Sequence, residues 1–156
     1  MTPITPCLWF DTQAEQAADF YVSVFPRSRK KAVTHYSDNM PMPTGTVLTV
    51  AFELAGQPFL ALNGGPQFKH SPAVSFMVNC ADQAEIDRYW EKLSDGGEEV
   101  ECGWLTDRFG VSWQVVPAEI EAMMSSGDPV RIARLMQAVM KMKKLDLAAL
   151  RKAFAG

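Results

Sequence analysis

The chain has 156 residues, 47% hydrophobic and 21% charged, with a formal net charge of -3. That balance excludes a disordered chain, and without a domain-wide basic field nucleic acid is not expected as a partner. No run reaches the roughly 18 apolar residues of a membrane span, and Met1 to Phe10 lacks the basic start and long apolar core of a signal peptide, so no membrane partner and a cytoplasmic location are expected.

Ile4 to Phe10 reads as a strand, and Thr12-Gln13-Ala14-Glu15 after it has the form of a capping box opening a helix. Ala14, Ala17, Ala18, Tyr21, Val24 and Phe25 recur on one helical face until Pro26 ends the pattern. Lys31 to Tyr36 reads as a strand, Ser37 to Gly45 as a mobile loop, and Thr46 to Leu54 as a second strand. Ala55-Gly56 turns the chain into Gln57 to Leu62, and Asn63-Gly64-Gly65-Pro66 closes the unit before a linker, Gln67 to Pro72.

The order then begins again. Val74 to Asn79 reads as a strand, and Asp82 caps a helix with Glu85 at its third position and Ile86, Tyr89, Trp90 and Leu93 on its apolar face. Glu98 to Trp104, the turn Asp107 to Gly110 and the strand Val111 to Val116 supply the remaining sheet. Gln-Ala-Glu occurs at Gln13 to Glu15 and again at Gln83 to Glu85, about 70 positions on, each time followed by an adjacent aromatic pair. A tandem βαβββ repeat of α+β class follows, with module one at 1–66 and module two at 73–117. The helical extension at 118–156 carries apolar stripes at Ile120, Met123 and Met124, at Ile132, Leu135, Met136 and Val139, and at Leu147, Leu150 and Phe154. These stripes need cover, from their own sheet or from a second subunit.

Three cysteines, Cys7, Cys80 and Cys102, form no Cys-x-x-Cys pair, so buried reduced thiols are expected rather than a disulfide framework or a zinc site. Lys141, Lys143 and Lys144 read as the solvated end of a helix. His35 and His70 fall in polar or proline-rich surroundings and read as surface residues. His70 is the better candidate of the two for moving a proton.

Leu8-Trp9-Phe10, Ala17 to Tyr21 and Val24-Phe25, together with Cys102 to Gln114 and the tail from Leu135 to Asp146, resemble the vicinal-oxygen-chelate superfamily of glyoxalases, bleomycin-resistance proteins and extradiol dioxygenases. Within it the chain is most similar, over nearly its whole length, to the PhnB-like branch, often labelled 3-demethylubiquinone-9 3-methyltransferase. The resemblance implies that the two modules form a curved mixed-sheet cup, that two subunits pair as a homodimer, and that a divalent metal sits at the cup's centre. The implied ligand positions fall at Thr5 or Pro6, Ala61, Ala73 and Gln114, a set with no imidazole or carboxylate, so no metal and no other cofactor is expected.

Strand alternation from those positions places Thr5, Cys7, Trp9, Phe59, Ala61, Asn63, Ala73, Ser75, Met77, Ser112 and Gln114 on one concave face. Trp9, Asn63, Ser75, Trp104 and Gln114 are the candidate ligand-binding residues, for a small organic molecule held by aromatic surface and neutral hydrogen-bonding groups. The alternatives are a metal-independent enzyme, with Gln114, Asn63 and Ser75 orienting a carbonyl or phenol, and a methyltransferase as the family label suggests. For the latter, Gly64-Gly65-Pro66 leads into a linker rather than into the helix of a nucleotide-binding turn.

Overall fold

The computed structural model describes residues 3–156. Two compact units divide the chain, the first ending at His70 and the second running from Ser71 to Gly156.

In the first unit β1 (Cys7–Phe10), α1 (Ala14–Val24), β2 (Arg29–His35), β3 (Val47–Leu54) and β4 (Gln57–Asn63) follow one another. The sheet runs β1-β4-β3-β2, with β1 parallel to β4 and the other pairs antiparallel. At the β3–β4 corner both Ala55 and Gly56 have positive φ, 48° and 85°, the twist that two-residue hairpins favour. Helix α1 buries Ala14, Ala17, Ala18, Tyr21 and Val24, the periodic face read from the sequence, while Phe25 is the half-buried C-cap. Tyr21 stacks on Phe52 at 6.2 Å and Phe52 on Phe59 at 5.4 Å, so an aromatic column joins helix to sheet. Burying such a ring contributes about 1.5–3 kcal/mol.

Two expectations for this unit are corrected. The capping box at Thr12 to Glu15 does not form: Gln13 is the N-cap and makes no side-chain cap bond. Asn63 takes over, its Oδ1 accepting from the Ala14 N–H at 2.8 Å. Parallel pairing sets Asn63 beside Phe10, just before the helix begins, so a distant amide reaches the donor that a local side chain was expected to satisfy. The strand alternation is also different. Cross-strand partners share a face, and Leu8 pairs with Ala61 and Phe10 with Asn63, so Phe59, Ala61 and Asn63 point to the buried helix side. Leu60 and Leu62 share the opposite, open face with Cys7 and Trp9.

In the second unit β5 (Ser75–Cys80), α2 (Gln83–Ser94), β6 (Glu98–Glu99), β7 (Trp104–Thr106) and β8 (Ser112–Pro117) repeat the pattern with sheet order β5-β8-β7-β6. Here the local cap does form, since Asp82 accepts from the Glu85 N–H at 2.9 Å and Glu85 accepts from the Ala81 N–H at 2.8 Å. Ile86, Tyr89, Trp90 and Leu93 are buried as the spacing implies. Between Glu98 and Thr106 the chain forms two short strands, because Cys102 and Gly103 adopt positive φ of 63° and 83° and turn it.

The extension forms α3 (Ile120–Met124), α4 (Pro129–Val139) and α5 (Leu147–Ala155). Asp128 and Asp146 cap the last two. Met123, Leu135, Val139, Leu145 and Leu150 close on Val116 as one buried cluster, with Cys102, Ile120 and Phe154 packed against it. The stripes are therefore largely covered within the unit, and they no longer call for a second subunit. Met124 and Met136 turn outward, at 40% and 37% exposed.

Candidate functional site

Register defines the open face of the second sheet. Met77 pairs with Gln114 and Gln114 with Trp104, giving one row across β5, β8 and β7. The adjacent row is Ser75, Ser112 and Thr106. With strands about 4.8 Å apart, each row spans roughly 10 Å, the width of a bicyclic molecule. Neither row carries a charge on these three strands; the nearest carboxylate in register is Glu98, beyond Thr106 on the edge strand. Three of the five candidate residues, Ser75, Trp104 and Gln114, are thus brought together, and Gln114 Nε2 donates to Ser75 Oγ at 2.9 Å.

Local sequence fixes these groups from behind. Asp107, 3% exposed, accepts from the Phe109 and Val111 N–H groups at 2.8 and 3.1 Å through Oδ1 and from Trp113 Nε1 at 2.8 Å through Oδ2. A buried carboxylate with three donors holds the turn and β8 in one register. The sequence pattern shows Asp107 only as a turn residue; the signal that was available is an Asp with a Gly three and a Trp six positions on. At the other end of β7, the Cys102 and Gly103 N–H groups donate to Met142 O and Lys143 O, both at 2.8 Å. Gly103 also accepts from the Val115 N–H at 2.8 Å, and a Cβ there would meet Leu145 Cγ at 3.0 Å and Val115 O at 3.1 Å. The turn before Trp104 is therefore closed by the extension, which residue patterns did not foretell.

The remaining two candidates lie in the first unit. Trp9 is half-buried on the open face, where its indole N–H donates to Gly65 O at 2.9 Å and its ring meets Phe68 edge-on at 5.1 Å. Gly64 has no side chain because the Trp9 ring occupies that space: a Cβ would lie 2.3 Å from it. The glycine pair thus seats a tryptophan. Asn63 is 5% exposed, and its Nδ2 donates to Val47 O at 3.1 Å while Oδ1 caps α1. It borders a recess of about 380 Å³ with Thr12, Gln16, Met42 and Thr46, away from the face that carries Trp9.

Among the four tryptophans, Trp9, Trp90 and Trp113 each donate their indole N–H, to Gly65 O, Glu99 Oε1 and Asp107 Oδ2. Trp104 Nε1 has no partner among the described residues, and neither has Gln114 Oε1. A wider groove of about 810 Å³ along α2 is lined mostly by charged side chains, of which Lys144 and Asp87 pair at 2.8 Å. It contains none of the candidate residues.

The other reactive side chains are dispersed. His70 is half-buried rather than on the surface: its ring lies 5.3 Å from Phe10 and its Nε2 is buried without a hydrogen-bond partner among the described residues. Cys80 is fully buried and Cys102 half-buried, but Cys7 is exposed, contrary to the expected burial of all three, because it occupies the open face of β1. Burial pushes the Cys80 thiol up to about 12, far from a nucleophile's range. Among the described residues no three His, Cys, Asp or Glu side chains gather as a metal site.

A family model described as 3-demethylubiquinone-9 3-methyltransferase matches residues 2–116. The chain belongs to that family. With it comes the glyoxalase/bleomycin-resistance superfamily, to which the similar structures belong. A PhnB protein from Bacillus cereus carrying the same methyltransferase description is 35% identical, with 75% of this chain covering 100% of that one at a TM-score of 0.69. A protein from Pseudomonas aeruginosa is 22% identical over 74% of this chain and 96% of its own, at a TM-score of 0.63. The fosfomycin resistance protein FosX from Listeria monocytogenes, complexed with Mn(II) and sulfate, shares the fold at 12% identity and a TM-score of 0.55, over 81% of this chain and 98% of its own. A search of the curated proteins gives no match. The family match ends at Val116, so the family likeness of the tail read from its residues is not part of it.

The superfamily's metal chemistry does not fit the residues present. Ala61 is fully buried on the helix side of β4, Leu60 and Leu62 face the open side, and the second unit offers hydroxyls and one amide. Neutral oxygen donors of that kind do not hold zinc, nickel or iron. Nor do the two mixed four-stranded sheets make the doubly wound parallel sheet on which S-adenosylmethionine is usually bound.

Proposed function

We propose that the protein binds a small, uncharged organic molecule on the open face of its second sheet, with Trp104, Gln114 and Ser75 as the contacting residues and Met77 as an apolar wall. The observation that carries this reading is a pair of polar groups without a protein partner among the described residues, Trp104 Nε1 and Gln114 Oε1, on half-buried residues of neighbouring strands. Polar groups in such a setting gain by meeting a partner, and the uncharged rows around them disfavour an ionised one. On the first unit's own open face Trp9 is proposed as a separate contact, offering its ring and not its N–H. Asn63 is better read as a structural amide that caps α1.

Binding without bond breaking is favoured over catalysis because the rows on β5, β8 and β7 hold no general base or acid within their register. A homodimer is also proposed, on the exposed Val130 of α4 and its C-cap Met140, 62% and 67% accessible, in place of the covered stripes. The binding reading is tested by a thermal-shift screen of uncharged aromatic compounds with the wild-type protein and Trp104→Ala in parallel. Hits that raise the wild-type midpoint and lose their effect in the variant support it. Hits that act equally on both proteins would place binding elsewhere.

A further inference from the structure

Resting on that reading, we infer that the ligand carries a hydrogen-bond acceptor and a donor side by side on one planar, uncharged edge, as a lactam or cyclic imide does. The partners available on the sheet set this pattern. Gln114 and Trp104 face each other across the antiparallel β7–β8 pair, on one side of the sheet. Gln114 spends one amide hydrogen on Ser75 Oγ, which fixes its plane and leaves Oε1 as an acceptor. The Trp104 indole can only donate. A donor and an acceptor on directly paired residues of neighbouring strands, whose backbones lie about 4.8 Å apart, suit a group that accepts at one atom and donates at the next.

Other chemistries fit less well. A carboxylate would face Gln114 Oε1, where two acceptors meet with no hydrogen between them. An ammonium would satisfy Oε1 but oppose the indole donor. A hydrocarbon or a fully substituted quinone would leave Gln114 Oε1 without a partner on a half-covered face. The Ser75 hydroxyl accepts from Gln114 and keeps its own hydrogen, so it supplies a second donor on the other side of Gln114 from Trp104, where a second ligand carbonyl, as in an imide, would meet it. Met77, 56% exposed at the far end of the same row, offers a soft apolar surface to the rest of a bicyclic ring.

Four probes separate the possibilities: 2-quinolone, its N-methyl derivative, naphthalene, and quinoline-2-carboxylate. Each is titrated into ¹⁵N-labelled protein while the four indole N–H signals are followed, with Trp104→Phe and Gln114→Glu alongside. The expected result is a saturable shift of the Trp104 signal by 2-quinolone, with affinity lowered about 3- to 10-fold by N-methylation, the usual worth of one neutral hydrogen bond. Trp104→Phe, which keeps a ring and removes only the donor, should weaken 2-quinolone by a similar factor and leave naphthalene unchanged. Equal affinity for 2-quinolone and its N-methyl derivative, with the Trp104 signal still moving, would overturn the donor–acceptor edge and leave the binding face standing. Tighter binding of the carboxylate would overturn the uncharged class. No shift of the Trp104 signal by any probe at millimolar concentration would overturn the face itself, and with it this inference. Should Gln114→Glu disturb the fold, its amide spectrum will show it, and Trp104→Phe still decides the matter.

Discussion

The two units share one strand order and one helix position, yet they finish their open faces in opposite ways. In the first, the indole of Trp9 is tied to Gly65 O and packed on Phe68, and the amide of Asn63 is turned inward to start α1. In the second, Asp82 starts its own helix, which frees the end of β8 from that duty, and the open face keeps Trp104 Nε1 and Gln114 Oε1 unpartnered among the described residues. A repeated scaffold can therefore be stabilised by equivalent cores while only one copy keeps polar groups in reserve. The second unit also carries the added helical cluster, which closes the turn before Trp104.

The comparison is broken most severely by Leu150→Ala. Leu150 is fully buried in the extension's cluster, so the change should cost about 2–5 kcal/mol and act on the second unit alone. Denaturant unfolding followed by amide resonances checks this: second-unit signals should fail first, whereas uniform loss across both units would show that the two cores unfold as one. A smaller effect sharpens the contrast between the helix starts. Asn63→Ala removes a distant cap from α1 and also leaves the Val47 carbonyl short of a donor, for about 1–2 kcal/mol. Asp82→Ala removes a local cap from α2, for about 1 kcal/mol. Equal losses in thermal unfolding would erase the distinction.

The smallest effect concerns pH. Burial raises the Cys80 thiol from 9.0 to about 12, so above pH 9 the unfolded chain gives up a proton that the folded chain keeps. Its contribution to stability is complete below pH 9 and declines as pH rises toward 12. Melting midpoints of the wild type should fall more steeply over that window than those of Cys80→Ala.

Much of the fold is legible in the residues because its signals are local. The buried faces of α1 and α2 follow from spacing alone, and Ala55-Gly56 announces its hairpin. What failed to show is set by contacts between distant segments. Thr12 and Glu15 make a plausible cap until parallel pairing brings Asn63 to the same donor. Alternation from Ala61 puts Asn63 on the face of Trp9, whereas the register of β1 with β4 sets Leu62 beside Trp9 and turns Asn63 to the helix side. In the second unit the alternation did place Ser75, Met77, Ser112 and Gln114 on one side, but nothing in the sequence distinguishes the free indole of Trp104 from the three that are bonded.

That distinction is also the most direct test. Solvent exchange of the four indole N–H groups, measured in the ligand-free protein, should rank Trp104 fastest, with Trp113, bonded to buried Asp107, slowest. Exchange of Trp104 as slow as that of Trp113 would mean its N–H already has a partner, and the second unit's open face would hold no polar group in reserve for a ligand.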